Sequence, residues 1–138
     1  MEQLERIGIS LDQTLLSAFD QLATKQGYQN RSEAIRDMMR RQISTEKLAD
    51  PNAQAVAVVC LVFNHHSAKL VQKLTALGHS HLLQTICSMH VHLDRCDCME
   101  VIVLKGRCGQ IKKIAERLLS HKGVKLGNIN MIAAEQSH

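Results

Sequence analysis

Two histidines and two cysteines fall within nine residues of one another in the run SMHVHLDRCDCMEV, Ser88–Val101. Imidazole and thiolate are the donors that borderline-soft divalent ions take. Side chains alternate along a strand. With Thr85–Leu93 read as a strand, Ser88, His90 and His92 share one face. Cys87, Met89, Val91 and Leu93 share the other, which looks like core. On the next strand Met99, Val101 and Val103 look like core, and Cys98 lies opposite them with Glu100. A hairpin turning at Asp94–Asp97 then puts His92 beside Cys98. His90, His92 and Cys98 converge in this reading on the sheet face turned away from the helices. Cys96 sits in the turn as a bystander.

Alternating polar residues on an exposed strand are ordinary, so two readings stand side by side: a decorated strand and a three-donor metal site. Water in the fourth position would make a catalytic zinc, and a fourth protein ligand would make a structural or sensing site. His79 and His81 in LGHSHLL follow a predicted helix and are able to arrive from a neighbouring subunit. Three imidazoles and a thiolate suit nickel(II) or copper(II) in a planar arrangement, or zinc in a tetrahedral one.

The elements that hold these donors must come from 138 residues, enough for one ordinary domain or two very small ones. The chain is 45% apolar with no Trp, one Tyr and two Phe, so its core is aliphatic. Five cysteines is an odd number, which fits reduced thiols better than a disulfide framework. No apolar run is long enough to span a membrane, and MEQLERIGIS lacks the pattern of a signal peptide. A cytoplasmic location is expected. Residues 1–50 carry a net charge of −1 and residues 51–138 carry +5. A basic DNA-binding arm is therefore not visible at the start of the chain.

The only proline, Pro51, stands in TEKLADPNAQ and marks a linker at residues 50–53. Before it, domain 1–49 opens with LERIGISL, Leu4–Leu11. Ile7, Ile9 and Leu11 face one way, and Arg6, Gly8 and Ser10 the other, the period of a half-buried strand. Two helices follow. Leu15, Leu16, Phe19, Leu22 and Ala23 line the first, which closes at Gly27. The second opens at NRSE, with Asn30 as cap and Glu33 three residues on, and buries Ile35, Met38, Met39 and Ile43. A lone strand is not stable, so two copies are expected to pair Leu4–Leu11 across a two-fold axis. Such a ribbon fits the major groove, where Arg6 is able to bond guanine beside Gly8 and Ser10. Asn30, Arg31 and Ser32 offer backbone N–H groups and a positive helix end to phosphates. A helical dimerisation module with a solvated ribbon face is the plainer reading of the same pattern.

Domain 54–138 reads as strand, helix, strand, strand, helix, strand. Its segments are Ala53–Phe63, Ser67–Gly78, the two hairpin strands, Gly109–Gly123 and NINMIAA. This βαββαβ order predicts a ferredoxin-like sandwich and an α+β chain overall.

With these motifs in hand, the chain resembles the nickel-responsive transcriptional regulators: a ribbon-helix-helix domain joined to an ACT-like domain. NRSEAIRD (Asn30–Asp37), HVH (His90–His92) and Asp97–Cys98 before MEVIVLKG carry the resemblance, which covers nearly the whole chain. It implies one nickel(II) per chain, held by His90, His92 and Cys98 of one subunit with His79 of another. It implies a homotetramer, a dimer of dimers, that binds palindromic double-stranded operator DNA when metallated and represses nickel-uptake genes. It also implies a second cation site at Glu33 and Asp37. The ribbon face departs from the family's Arg-x-Thr-x-Thr, since Gly8 offers a base no side chain. The loop Asn64–Lys69 also differs from the family's charged loop, and His65, His66, His121 and His138 read as surface or tail. A copper or zinc sensor on this scaffold, or a metal-independent ACT regulator that binds an amino acid, are the alternatives. No nucleophile–base pair or phosphate-binding glycine loop is visible, so an enzyme is not expected.

Overall fold

The computed structural model describes residues 3–64, 66–67, 69–70, 72–73, 76 and 84–134, the side chains of 84–86 excepted. The chain divides into two compact units, Met1–Gln42 and Ile43–His138.

In the first unit α1 spans Gln13–Lys25, and α2 begins at Arg31 and runs to Leu48. Each helix starts where a short polar side chain takes up a free backbone N–H. Asp12 accepts from the Leu15 N–H at 2.8 Å, and Asn30 from the Glu33 N–H at 2.9 Å. α1 ends at Gly27 with φ +82°, and the Tyr28 N–H returns to the Ala23 carbonyl, the usual left-handed stop. Among the described residues of this unit only Ala23 and Ala34 are buried, while Leu4, Ile7, Ile9, Leu15 and Met39 are each more than half exposed. So many exposed large apolar side chains in so small a unit leave it with little core of its own. The expected strand Leu4–Leu11 has no ladder among the described residues, and residues 3–12 are irregular. Alternation shapes a strand, but its hydrogen bonds need a second strand, and one chain carries none for it among the described residues.

The second unit is a four-stranded antiparallel sheet. Its strands are β1 (Gln54–Asn64), β2 (Gln84–His92), β3 (Asp97–Arg107) and β4 (Val124–Ala133), in the order β2-β3-β1-β4. Helix α3 spans Cys108–Leu119. The helix expected over Ser67–Gly78 lies largely outside the described residues. Positions 69, 70, 72, 73 and 76 are helical, and Leu70 is fully buried in the core. The order and pairing are those of the expected ferredoxin-like sandwich.

The core lies on one face of the sheet. Ala55, Ala57, Val59, Leu61 and Phe63 of β1 meet Ile102 and Leu104 of β3 and, from α3, Ile111, Ala115 and Leu118. Gly127 faces Leu61 across β1 and β4. A Cβ there would meet Leu119 Cδ2 and come within 2.9 Å of the Cys60 carbonyl oxygen. The missing side chain is what lets α3 settle on the sheet.

This arrangement corrects the expected faces. Directly paired residues share a face, and Phe63 pairs with Cys98, Leu61 with Glu100 and Val59 with Ile102. His92 in turn pairs with Cys98 and His90 with Glu100. The two histidines and Cys98 therefore lie on the core face, at its β2 side. Met99, Val101, Val103, Met89 and Val91 lie on the opposite face with Val56, Val58 and Val62. The expectation failed because both faces are apolar, so alternation did not say which one α3 covers.

The residues expected to be a linker form a bonded turn. The Ala53 N–H donates to the Asp50 carbonyl, and the carbonyls of Ala53 and Pro51 accept from the N–H groups of Cys108 and Gly109 at 2.8 and 2.9 Å. Arg107, the N-cap of α3, makes no side-chain cap, so these carbonyls satisfy two of the helix's free donors. The end of α2 joins the same structure. The Leu48 carbonyl accepts from Cys108 Sγ at 3.1 Å and Lys112 Nζ at 3.2 Å. This accounts for a division inside α2, earlier in the chain than the proline.

Candidate metal centre

β2 and β3 form a hairpin whose turn is tied by one carboxylate. Asp94 Oδ1 accepts from the N–H groups of Cys96 and Asp97 at 2.7 and 2.8 Å. That turn fixes the register that sets His92 against Cys98. The donor atoms of His90, His92 and Cys98 all lie within 4.8 Å of one another. Cys98 Sγ stands 3.4 Å from His92 Nδ1. Nitrogen and sulfur donors on one zinc-sized ion, at about 2.0 and 2.3 Å, would stand roughly 3 to 3.5 Å apart, so this pair is already at ligating separation. The two imidazoles meet edge to face, with centroids 4.9 Å apart. No other His, Cys, Asp or Glu group of three comes together in this way among the described residues. Cys96 is exposed in the turn and outside the cluster.

The surroundings act on this donor set. Cys98 is fully buried beside Phe63. Burial pushes its thiol above the usual range, and the nearby carboxylates Asp97, Asp94 and Glu100 push it further. The Asp97 carboxylate is paired with Lys125, whose Nζ lies 2.7 Å from both of its oxygens. Phe63 also meets the His90 ring, with centroids 6.2 Å apart.

Glu100 is a residue of the site that spacing alone did not single out. Its Oε2 lies 2.8 Å from His90 Nδ1. A carboxylate on one ring nitrogen fixes the tautomer and leaves Nε2 to bind. The signal was present, since Glu100 follows Cys98 by two and shares its face. Glu100→Gln is expected to lower metal affinity about 10- to 100-fold, read by competition against a chromophoric chelator. Unchanged affinity would remove Glu100 from the site.

His79 and His81 lie outside the described residues. Arg6, Gly8 and Ser10 are exposed in the irregular segment ahead of α1. At the start of α2 the Asn30 side chain serves as cap, Ser32 is exposed and Arg31 is paired with Asp20 at 2.7 Å. Glu33 is exposed and Asp37 half-buried on α2. The Asp37 carboxylate already accepts from the Tyr28 hydroxyl at 3.0 Å and from Arg40 at 3.3 Å.

Residues 56–132 match the family model described as the NikR C terminal nickel binding domain. The chain belongs to the nickel-responsive regulator family. Residues 5–46 match the ribbon-helix-helix, copG family, so this member carries a regulator's DNA-binding fold ahead of its nickel-binding domain and is not an enzyme. A protein of Trichlorobacter lovleyi named "Putative nickel-responsive regulator" is 48% identical over 100% of this chain and 99% of its own length. Two others of that name are similar. The one from Pelobacter propionicus is 46% identical over 96% of each chain, and the one from Lawsonia intracellularis 40% identical over 99% of this chain and 98% of its own. Among the described residues, no helix of this regulator is long and apolar enough to cross a membrane.

Proposed function

We propose that this regulator is a nickel-dependent repressor of nickel-uptake genes, acting in the cytoplasm on palindromic operator DNA. The observation that carries the reading is the convergence of His90, His92 and Cys98 inside a domain matched to nickel-binding proteins. His79 of a neighbouring subunit completes a set of three imidazoles and a thiolate, with one nickel(II) per chain. Bound nickel would tie β2 and β3 to whatever segment brings the fourth donor. A sensor must couple that tie to a shift between arrangements of its DNA-binding pairs.

Two surfaces support a dimer of dimers. The apolar residues of the first unit need a second copy to cover them and to pair Leu4–Leu11. The outer sheet face leaves Val58, Met89, Leu126 and Ile132 between 37% and 71% exposed, which is suited to a second sheet. A two-fold ribbon would present Arg6, Gly8 and Ser10 twice to the major groove and read a palindrome. With Gly8 offering no side chain, Arg6 carries most of the base contact. A weaker cation site at Glu33 and Asp37 would have to displace Arg40 from Asp37.

The test is a nickel(II) titration of the reduced apo-protein followed by absorption. Thiolate-to-nickel charge-transfer bands that saturate at one nickel per chain, lost in His79→Ala, are expected. Weak octahedral-type bands alone would end the nickel reading. Selection of duplexes by the nickel-loaded protein then tests the operator.

A further inference from the structure

Arg31 is the first residue of α2, and a cation there opposes the positive end of the helix dipole. Asp20, on α1, answers it with a two-pronged pair. Arg31 Nε donates to Oδ1 at 2.8 Å and Nη2 to Oδ2 at 2.7 Å. Such fork-to-fork bonding fixes the plane of the guanidinium as well as its position. The pair is not closed off from solvent, since the Arg31 and Asp20 side chains are 58% and 40% exposed. A guanidinium has five N–H donors, and Asp20 takes two of them along one edge. The remaining three lie on Nη1 and Nη2, away from the carboxylate. At the start of α2 the Asn30 side chain is already spent on the Glu33 N–H.

We infer that Asp20 is a positioning residue for DNA: it holds Arg31 with its free edge outward, as a preformed clamp for a backbone phosphate. This rests on the reading of the first unit as the DNA-binding domain. An unheld arginine gives up rotamer freedom when it binds, and Asp20 removes that loss in advance. Simple electrostatics gives the opposite sign, since a carboxylate beside a phosphate site would only repel DNA. The sign of the effect therefore decides between the two.

The experiment uses the nickel-loaded full chain and a labelled duplex of mixed sequence, with binding read by fluorescence anisotropy over a salt series. Asp20→Asn is expected to weaken binding roughly three- to tenfold, although it removes a negative charge. The slope of log K on log salt should become shallower by about one for each phosphate that is no longer neutralised. The double variant Asp20→Asn/Arg31→Gln should bind no more weakly than Arg31→Gln alone, because Asp20 acts through Arg31. Asp20→Glu, which keeps the charge pair, should retain the wild-type slope, and circular dichroism checks that each variant keeps its helices. Equal or tighter binding by Asp20→Asn with an unchanged slope overturns the clamp, as does full additivity in the double variant. Wild-type protein that binds no duplex at low salt overturns the DNA reading itself, and the clamp with it.

Discussion

Cys98→Ala is expected to abolish the thiolate-to-nickel absorption and to lower nickel affinity by roughly a hundredfold or more. The magnitude follows from the binding energy of a four-ligand site, about 10–16 kcal/mol for zinc, divided among its donors. Cys98 is the only thiol in the cluster, and Cys96 stands outside it, so no neighbouring sulfur takes over. Its side chain is fully buried and small, and alanine costs little packing, so the fold should survive. The check is isothermal titration with nickel beside a thermal melt of the apo-protein. Near-wild-type affinity with a normal melt would place the nickel elsewhere. The same thiol sets a pH dependence. Burial and three carboxylates raise its pKa, so near neutral pH it is protonated and must release that proton to bind metal. Affinity should then rise by about tenfold per pH unit from this group and level off above the raised pKa. A flat profile across neutral pH would mean that the thiol is already ionised.

Phe63→Ala is expected to have the largest effect on stability, about 3–5 kcal/mol, the usual cost of truncating a buried phenylalanine. Phe63 is among the largest fully buried side chains and stands on the central strand β1 opposite Cys98. It also packs edge-on against the His90 ring, so the cavity opens beside the donor cluster. Denaturant unfolding of the apo-protein should show a lower midpoint with an unchanged slope. A loss below about 1 kcal/mol would mean that the core closes over the gap.

Much of this was legible in the chain itself. The stripe on α1 and the Asn30 cap marked the helices, and the spacing from His92 to Cys98 placed the hairpin turn at Asp94–Asp97. Those features are local, and their periods differ clearly from random order. The choice of sheet face was not legible. VAVVCLVF in β1 and VIVL in β3 are apolar at every position, so alternation carries no sign. Only pairing with Phe63 and Leu61 puts Cys98 and Glu100 on the helix side. Partners far apart in sequence stayed hidden for the same reason. Lys125 on Asp97 and Lys112 on the Leu48 carbonyl join residues 28 and 64 positions apart. The alternation over Leu4–Leu11 was legible as a pattern, but residues 3–12 are irregular in the single chain, because a strand needs a partner to form.

β2 lies at the edge of the sheet and, among the described residues, pairs only with β3. Edge strands open before central ones, and opening of that kind is a local event well below global unfolding. His90 and His92 both ride on β2, whereas Cys98 is anchored in β3 between two neighbours. In the proposed site, fraying of that edge would carry two of the three donors of this chain away together and leave Cys98 with the donor from the neighbouring subunit. The residence time of a bound ion would then follow the lifetime of a strand pair more than the breaking of single bonds in succession. Such a regulator would keep time by its backbone: slow to forget a past exposure when the sheet is stiff and quick to forget it when the sheet is loosened.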